Sequence, residues 1–226
     1  MTSPWAFVAL ILFGYFEGSI LYAVLLPKMM KGIDLTKVSE DGNPGSANAF
    51  QYCGIWVGFW TAVGDFAKGF LPVFISYWIW DWDDIGIWYG FIILAPILGH
   101  MFSMFHRFNG GMGIACTTGT LIALFVHSLM VVMLVSLYAV SRFIPFKRRY
   151  QRTWFCWSIF AVLVIFLESN WMIKWPYIII SAVIIIMATI QKYVLKNARD
   201  VNDELGENKA LNKIRELKEE HQKKKG

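Results

Sequence analysis

The sequence predicts an all-α integral membrane protein of about seven transmembrane helices, two of them short. Three observations lead there. Of the 226 residues, 57% are hydrophobic and only 16% are charged, and the charges cluster at the ends of apolar segments. Several of those segments are long enough, as helices, to span a hydrocarbon core of roughly 30 Å. Tryptophans Trp78, Trp80, Trp82 and Trp88 flank one polar turn, as in an interfacial aromatic belt. A soluble domain with a packed core is excluded by this pattern. The net charge of +5 sits in short basic runs beside apolar segments, which topology explains better than nucleic-acid binding. Residues 1–196 form the polytopic domain, and 197–226 a charged cytoplasmic tail.

The first segment runs from Trp5 to Leu26. No basic residue precedes it and no small-residue cleavage site follows, so a cleaved signal peptide is not expected. Glu17 lies inside it; an ionisable group at that depth is a functional candidate, the alternative being a hydrogen bond to a neighbouring helix. Lys28 and Lys31 then place this end in the cytoplasm, with the N-terminus outside and the protein in the inner (plasma) membrane.

A turn-rich loop follows, Asp41-Gly-Asn-Pro-Gly-Ser-Ala-Asn48. Gly42 and Gly45 permit positive φ and Pro44 stiffens the bend, so the stretch is either a plain connecting turn or, as a second glycine-rich loop at 108–113 favours, an anion nest of successive N–H groups. The second segment, Tyr52 to Trp80, contains Asp65 and Lys68, three apart and therefore on one helical face. They read as an internal ion pair, with a substrate-facing Lys68 as the alternative. The acidic turn Asp81-Trp-Asp-Asp84 lacks any basic residue and belongs outside.

The third segment, Ile85 to Phe105, returns inward carrying His100, and His106 and Arg107 lead into a second glycine loop, Phe108-Asn-Gly-Gly-Met-Gly113. Gly113 to Val140 is apolar, with His127 in the middle. A single helix here would put Arg142, Lys147, Arg148, Arg149 and Arg152 outside, against the charge rule, so two short helices that cross and return are expected. Such helices are tolerated where they line a protein cavity. The sixth and seventh segments are Trp154–Leu167 and Trp175–Val194, joined at Glu168-Ser-Asn170 and followed by Lys192 and Lys196. The tail from Asn197 is highly charged, with Leu211, Ile214 and Leu217 at three-residue spacing, and reads as a solvated helix or a disordered tail, with contact to headgroups or a protein partner as the lesser alternatives.

Several chemistries are absent from the sequence. Phe105, not Asp, stands five residues after His100, so there is no HxxxxD motif; nor is there a Gly-x-Ser-x-Gly elbow, a Walker loop or HExxH. Cys53, Cys116 and Cys156 are scattered, and no His/Cys/Asp/Glu set has metal-ligand spacing, so neither a metal nor a cofactor is expected. Any catalysis would rest on positioning and electrostatics around a phosphate. The groups available are the two glycine-loop backbones, Asn43, Ser46, Asn48, Lys68, His100, Arg107 and Thr117.

Ordered motifs connect these groups. Gly18-Ser19-Ile20 and Lys31-Gly32-Ile33-Asp34 precede Gly42-Asn43-Pro44-Gly45; Asp65, Lys68-Gly69 and Pro72 come next; Gly99-His100, Phe102 and Phe105 precede Phe108, Gly110-Gly111 and Gly113; Ser141-Arg142 closes the series. In this order, residues 14–145 resemble the bacterial acyl-phosphate:glycerol-3-phosphate acyltransferases, the PlsY family. The resemblance implies a seven-helix bundle with its site at the cytoplasmic face. It implies transfer of a fatty acyl group from acyl phosphate to glycerol 3-phosphate, giving lysophosphatidate for phospholipid synthesis. Ser46, Asn48, Lys68 and His100 are then the catalytic candidates, and Gly42, Asn43, Gly45, Arg107, Gly110, Gly111, Gly113 and Thr117 the phosphate-binding ones. The chain departs from the family pattern at Asp41 (serine in the family), Ser46-Ala47 (Ala-Thr), Asn109 and Met112 (both lysine) and Cys116 (threonine). Lys196-Asn197 is the nearest counterpart of the family's C-terminal His-Arg-x-Asn. Asp41 brings negative charge to a phosphate loop, and the alternative reading is a catalytically degenerate member that binds lipid or a partner protein.

The topology is testable by labelling. Asp83→Cys, Asn109→Cys and Lys147→Cys, each in a background without the native cysteines, should react from outside, inside and inside respectively. Labelling of position 147 from outside would make Gly113–Val140 a single crossing.

Overall fold

The first apolar segment is two helices rather than one. In the computed structural model, which describes residues 4–190 and Tyr193, and only the backbone at Trp82 and Asp83, α1 is Pro4–Ser19 and α2 is Tyr22–Lys31. Ile20 and Leu21 lie between them in non-helical conformation. The tail segment 197–226 and Lys192, Lys196 and Asn197 are outside the described residues.

The order continues with α3 (Leu35–Val38), α4 (Ser46–Cys53), α5 (Ile55–Ile79), α6 (Trp82–Ile85), α7 (Trp88–Met101), a 3₁₀ turn at Met104–His106, α8 (Ile114–Ala123), α9 (Met130–Val140), a second 3₁₀ turn at Ser141–Phe143, α10 (Arg149–Leu167) and α11 (Trp171–Ile190). Among the described residues, four helical stretches are long and apolar enough to cross a membrane: Pro4–Lys31, Trp88–His106, Arg149–Leu167 and Trp171–Ile190. The 25-residue α5 rises about 37 Å, which also suffices.

The element limits differ from the sequence expectations for local reasons. The second expected segment is interrupted at Gly54, whose φ of 88° ends α4 and starts α5. Gly113–Val140 is broken, as the charges required, by a turn at residues 124–129. The resulting α8 and α9 have 10 and 11 residues, about 15 and 16 Å of helix, well short of a bilayer core. α10 begins five residues before the expected Trp154, because the Gln151 side chain in its first turn accepts the Arg148 backbone N–H at 3.0 Å. α11 begins at Trp171 because the Asn170 side chain accepts from the Met172 N–H at 2.9 Å.

Small residues set how closely the helices approach. A Cβ added at Gly18 would overlap the Pro96 carbonyl, and one at Gly99 the Tyr15 carbonyl, so α1 and α7 meet backbone to backbone. Gly69 faces the Cys116 carbonyl and Gly119 the Phe66 carbonyl, which seats the short α8 against the middle of α5. Ile92, Ile93 and Ile97 of α7, Phe160 and Val164 of α10, and Tyr177, Ile180 and Ile184 of α11 are buried in the main apolar cluster. Trp56, Trp60, Val126 and Phe166 point outward, as expected for side chains facing lipid. A second small cluster, Ala23, Leu35, Ala49, Cys53 and Val57, joins α2, α3, α4 and α5, so the helices on either side of the first glycine loop are packed together.

Gly69→Ala and Gly119→Ala should each destabilise the protein by about 2 kcal/mol or more, because backbone rather than a flexible side chain would have to yield. Thermal unfolding in detergent checks this, with the outward Val63→Ala as a neutral reference. Unchanged melting of both glycine variants would contradict the close approach.

Candidate active site

Asp65 and Lys68 meet on the inner face of α5, both 0% exposed. Lys68 Nζ is 2.9 Å from Asp65 Oδ1 and donates to the Ile20 carbonyl at 2.6 Å. The break between α1 and α2 frees carbonyls that lipid cannot satisfy. Lys68 caps one of them; Ser103 Oγ caps the next, donating to the Ser19 carbonyl at 2.6 Å. The Tyr22 ring lies 5.6 Å from the ammonium, and the Tyr22 hydroxyl donates to Glu17 Oε1 at 3.3 Å. The intramembrane Glu17 is thus tied into the same network.

His100, 2% exposed, carries the network toward the loops. Its Nδ1 is 3.5 Å from Asp65 Oδ1, and neither Asp65 oxygen accepts a well-aligned hydrogen bond from a described group. Its Nε2 abuts Gly111, where a Cβ would overlap the imidazole and would also come within 2.9 Å of the Pro44 carbonyl. The Gly111 N–H donates to the His100 carbonyl at 3.1 Å. One glycine therefore brings both loops and the histidine together, which no spacing in the sequence announces. Tyr15 pins the start of the second loop by donating to the Phe102 carbonyl at 2.8 Å.

The first loop holds its shape through side chains. Asp41 Oδ1 accepts from the Asn43 N–H at 3.1 Å and from Asn48 Nδ2 at 2.7 Å, and Asn48 Nδ2 also donates to the Asn43 carbonyl at 2.8 Å. Asp41 is thus a scaffold of the loop, an Asx turn, rather than a carboxylate aimed at a phosphate. Gly42 donates to the Ser39 carbonyl and Gly45 to the Asn43 carbonyl, so with Asn43 these amides are already engaged. The expected nest of Gly42, Asn43 and Gly45 is not formed. Gly42 adopts φ 60°, whereas Gly45 is extended at φ −129°. The amides with no described acceptor are those of Ser46 and Ala47 at the head of α4, beside the half-buried Ser46 hydroxyl.

Other candidates are dispersed. Lys68, expected as a catalytic group, is sealed inside the bundle with its ammonium engaged; desolvation would make an unpaired charge there too costly, so the ion-pair reading is the one that holds. Thr117 is buried and its hydroxyl donates to the Gly113 carbonyl at 2.8 Å, back into its own helix. Arg107 is exposed at the start of the second loop, at φ 54°, and Gly110 packs on the His100 carbonyl. Gly113 caps α8 at φ 77°. Two residues were missed. Arg149, read only as part of a topological basic run, reaches across from α10 and donates to Asn48 Oδ1 and Gln51 Oε1. Ser103 was not singled out at all. Their partners lie about a hundred and 84 residues away in sequence, beyond any local pattern. Among the described residues no group of three or more His, Cys, Asp or Glu side chains suits a metal ion.

The profile of the glycerol-3-phosphate acyltransferase family matches residues 8–199. A glycerol-3-phosphate acyltransferase 2 of Thermotoga maritima is 42% identical over 120 residues, covering 53% of this chain and 58% of that protein. A glycerol-3-phosphate acyltransferase of Ralstonia pickettii is 37% identical over 127 residues, covering 55% and 60%. The chain thus spans somewhat under two thirds of the length of these curated relatives. Among solved structures, PlsY (YgiH), an integral membrane glycerol 3-phosphate acyltransferase, in its glycerol 3-phosphate form superposes with a TM-score of 0.73 at 25% identity, over 86% of this chain and 94% of that one. Its lysophosphatidic acid form gives 0.70 at 23% identity, over 86% and 93%.

The buried pair yields a stability prediction. Lys68→Met should lower stability by about 3–5 kcal/mol, because Asp65 is left charged and unpaired. Asp65→Asn with Lys68→Met should recover part of that loss, the remainder reflecting the uncapped Ile20 carbonyl at about 1–3 kcal/mol. Thermal unfolding of wild type, single and double variants in detergent decides it; a double variant no more stable than Lys68→Met would refute the pairing as the source.

Proposed function

Since this chain belongs to the glycerol-3-phosphate acyltransferase family, we propose that it transfers a fatty acyl group from acyl phosphate to the 1-hydroxyl of glycerol 3-phosphate, releasing lysophosphatidate and inorganic phosphate. The observation that carries the reading is the convergence of both glycine loops on His100 through Gly111. A relative of the same fold, PlsY, has a glycerol 3-phosphate form, which supports that substrate here. Acyl phosphate as the donor rests on the sequence resemblance.

In this reading the Ser46 and Ala47 amides and the Ser46 hydroxyl receive a phosphate at the head of α4. Asn43 and Asn48 keep that loop in shape, and His100 supports the second loop from beneath. The substrate hydroxyl oxygen attacks the acyl carbonyl carbon, the bond from that carbon to the phosphate oxygen breaks, and phosphate leaves. The hydroxyl proton passes to a phosphate oxygen, so no protein base is needed, and catalysis comes from positioning and electrostatics. The two glycine loops and the basic run 142–152 face the cytoplasm and the N-terminus lies outside, a proposal that rests on charge distribution. A partner protein for the tail 197–226 is proposed on composition alone.

Purified protein in liposomes, given acyl phosphate and labelled glycerol 3-phosphate, should form labelled lysophosphatidate. Gly111→Ala should reduce that rate at least tenfold, since its Cβ displaces His100 or the Pro44 backbone. No product above a protein-free control would sink the acyltransferase reading.

A further inference from the structure

A site for a doubly anionic substrate needs positive charge; of the cations the motifs offer, Arg107 lies exposed at the start of the second loop, and no described hydrogen bond or ion pair joins a motif cation to the first loop. Lys68 is sealed in the bundle against Asp65 and the Ile20 carbonyl. The second loop carries Asn109 and Met112, and the first carries Asp41. The cation that touches the first loop comes from elsewhere in the chain. The head of α10 docks on this region through two consecutive arginines: Arg148 Nη1 pairs with Glu40 Oε2 at 3.6 Å, and Arg149 donates through Nη1 to Asn48 Oδ1 and through Nη2 to Gln51 Oε1.

The two arginines are in different situations. Arg148 faces a carboxylate. Arg149 is exposed, and no carboxylate among the described residues lies within ion-pair distance of it. Its two partners are neutral amides on one face of α4, which aim the planar guanidinium without neutralising it. Five N–H donors in a fixed fork leave several free after these two contacts. Asn48 is 2% exposed and is itself held by Asp41 and the Asn43 carbonyl, so the guanidinium is referenced to a rigid part of the loop.

We propose that Arg149 is the cation of the first glycine loop and binds the phosphate of the glycerol-phosphate substrate with its remaining donors, an assignment that rests on the acyltransferase reading of the same site. Charge-assisted, forked contacts of this kind are the strong ones for phosphate. Arg149 thereby supplies from α10 the positive charge absent at Met112. Asp41 becomes compatible with an anionic substrate because Asn48 stands between its carboxylate and the guanidinium, donating to the carboxylate and accepting from the guanidinium.

The test combines kinetics on variants with chemical protection of the native protein. In Arg149→Gln the KM for glycerol 3-phosphate should rise at least tenfold while kcat at saturation changes less than threefold, with Arg149→Lys intermediate. Adding Met112→Lys to Arg149→Gln should recover much of the affinity. In wild-type protein, glycerol 3-phosphate and inorganic phosphate, but not glycerol, should protect Arg149 from phenylglyoxal, read by mass spectrometry of the peptide. This arm needs no variant to fold and no turnover. Absence of protection, or an unchanged KM in a folded Arg149→Gln, would overturn the assignment. Protection without any lysophosphatidate formation would retain Arg149 as the anion site and reject the acyltransferase reading. Turnover without protection would do the reverse.

Discussion

The Lys68 ammonium, held between Asp65 and the carbonyl of Ile20, is the contact on which the rest of the structure depends. It answers two costs at once. A buried carboxylate in an apolar bundle needs a counter-charge, and a helix broken inside a membrane-length segment needs donors for its freed carbonyls. Joining them makes the α1–α2 break permissible. The break in turn lets the chain redirect toward α3 and the first glycine loop. Ser103 performs the second capping from the far side of α7, so the break is clamped from both neighbours.

From that clamp the site is assembled by close backbone approach. Gly18 and Gly99 bring α1 against α7, and Gly69 and Gly119 bring α8 against α5. This fixes where His100 ends and where the second loop begins. Gly111 then fits between the His100 imidazole and the Pro44 carbonyl with no room for a side chain. The polar chain Glu17–Tyr22–Lys68–Asp65–His100 therefore ends at the place where the loops meet. Its interior members act on the site by holding it in position, since burial keeps them from any substrate.

The legibility of this arrangement in the sequence was uneven. Asp65 and Lys68 three residues apart in an apolar segment could be read as one-face partners, since helical periodicity fixes that neighbourhood locally. The division of Gly113–Val140 into two short helices could be read from the basic residues beyond it. The break at Ile20–Leu21 could not, because no proline or charge marks it, and what stabilises it comes from α5 and the loop after α7. The anion nest was misjudged for a related reason. Glycine and proline at 42–45 show that the backbone can turn, but whether its amides point outward depends on which acceptors lie nearby, and Asp41 and Ser39 take them.

By itself the sequence determined the class of solvent, the rough extent of the apolar segments, the two turn-rich loops and the family pattern that joins them. These follow from composition and from patterns within a few residues, where hydrophobicity and turn chemistry act directly. Tertiary structure alone decided which polar groups face the site and which hold the bundle. It moved Lys68 from candidate catalyst to internal clamp, made Asp41 a scaffold, and brought Arg149 to Asn48 across 101 positions of chain. The physical reason is that a charged side chain is assigned by what surrounds it after folding. Burial and partner geometry, which depend on distant helices, determine whether the same ammonium or guanidinium is engaged inside the protein or left open to an anion.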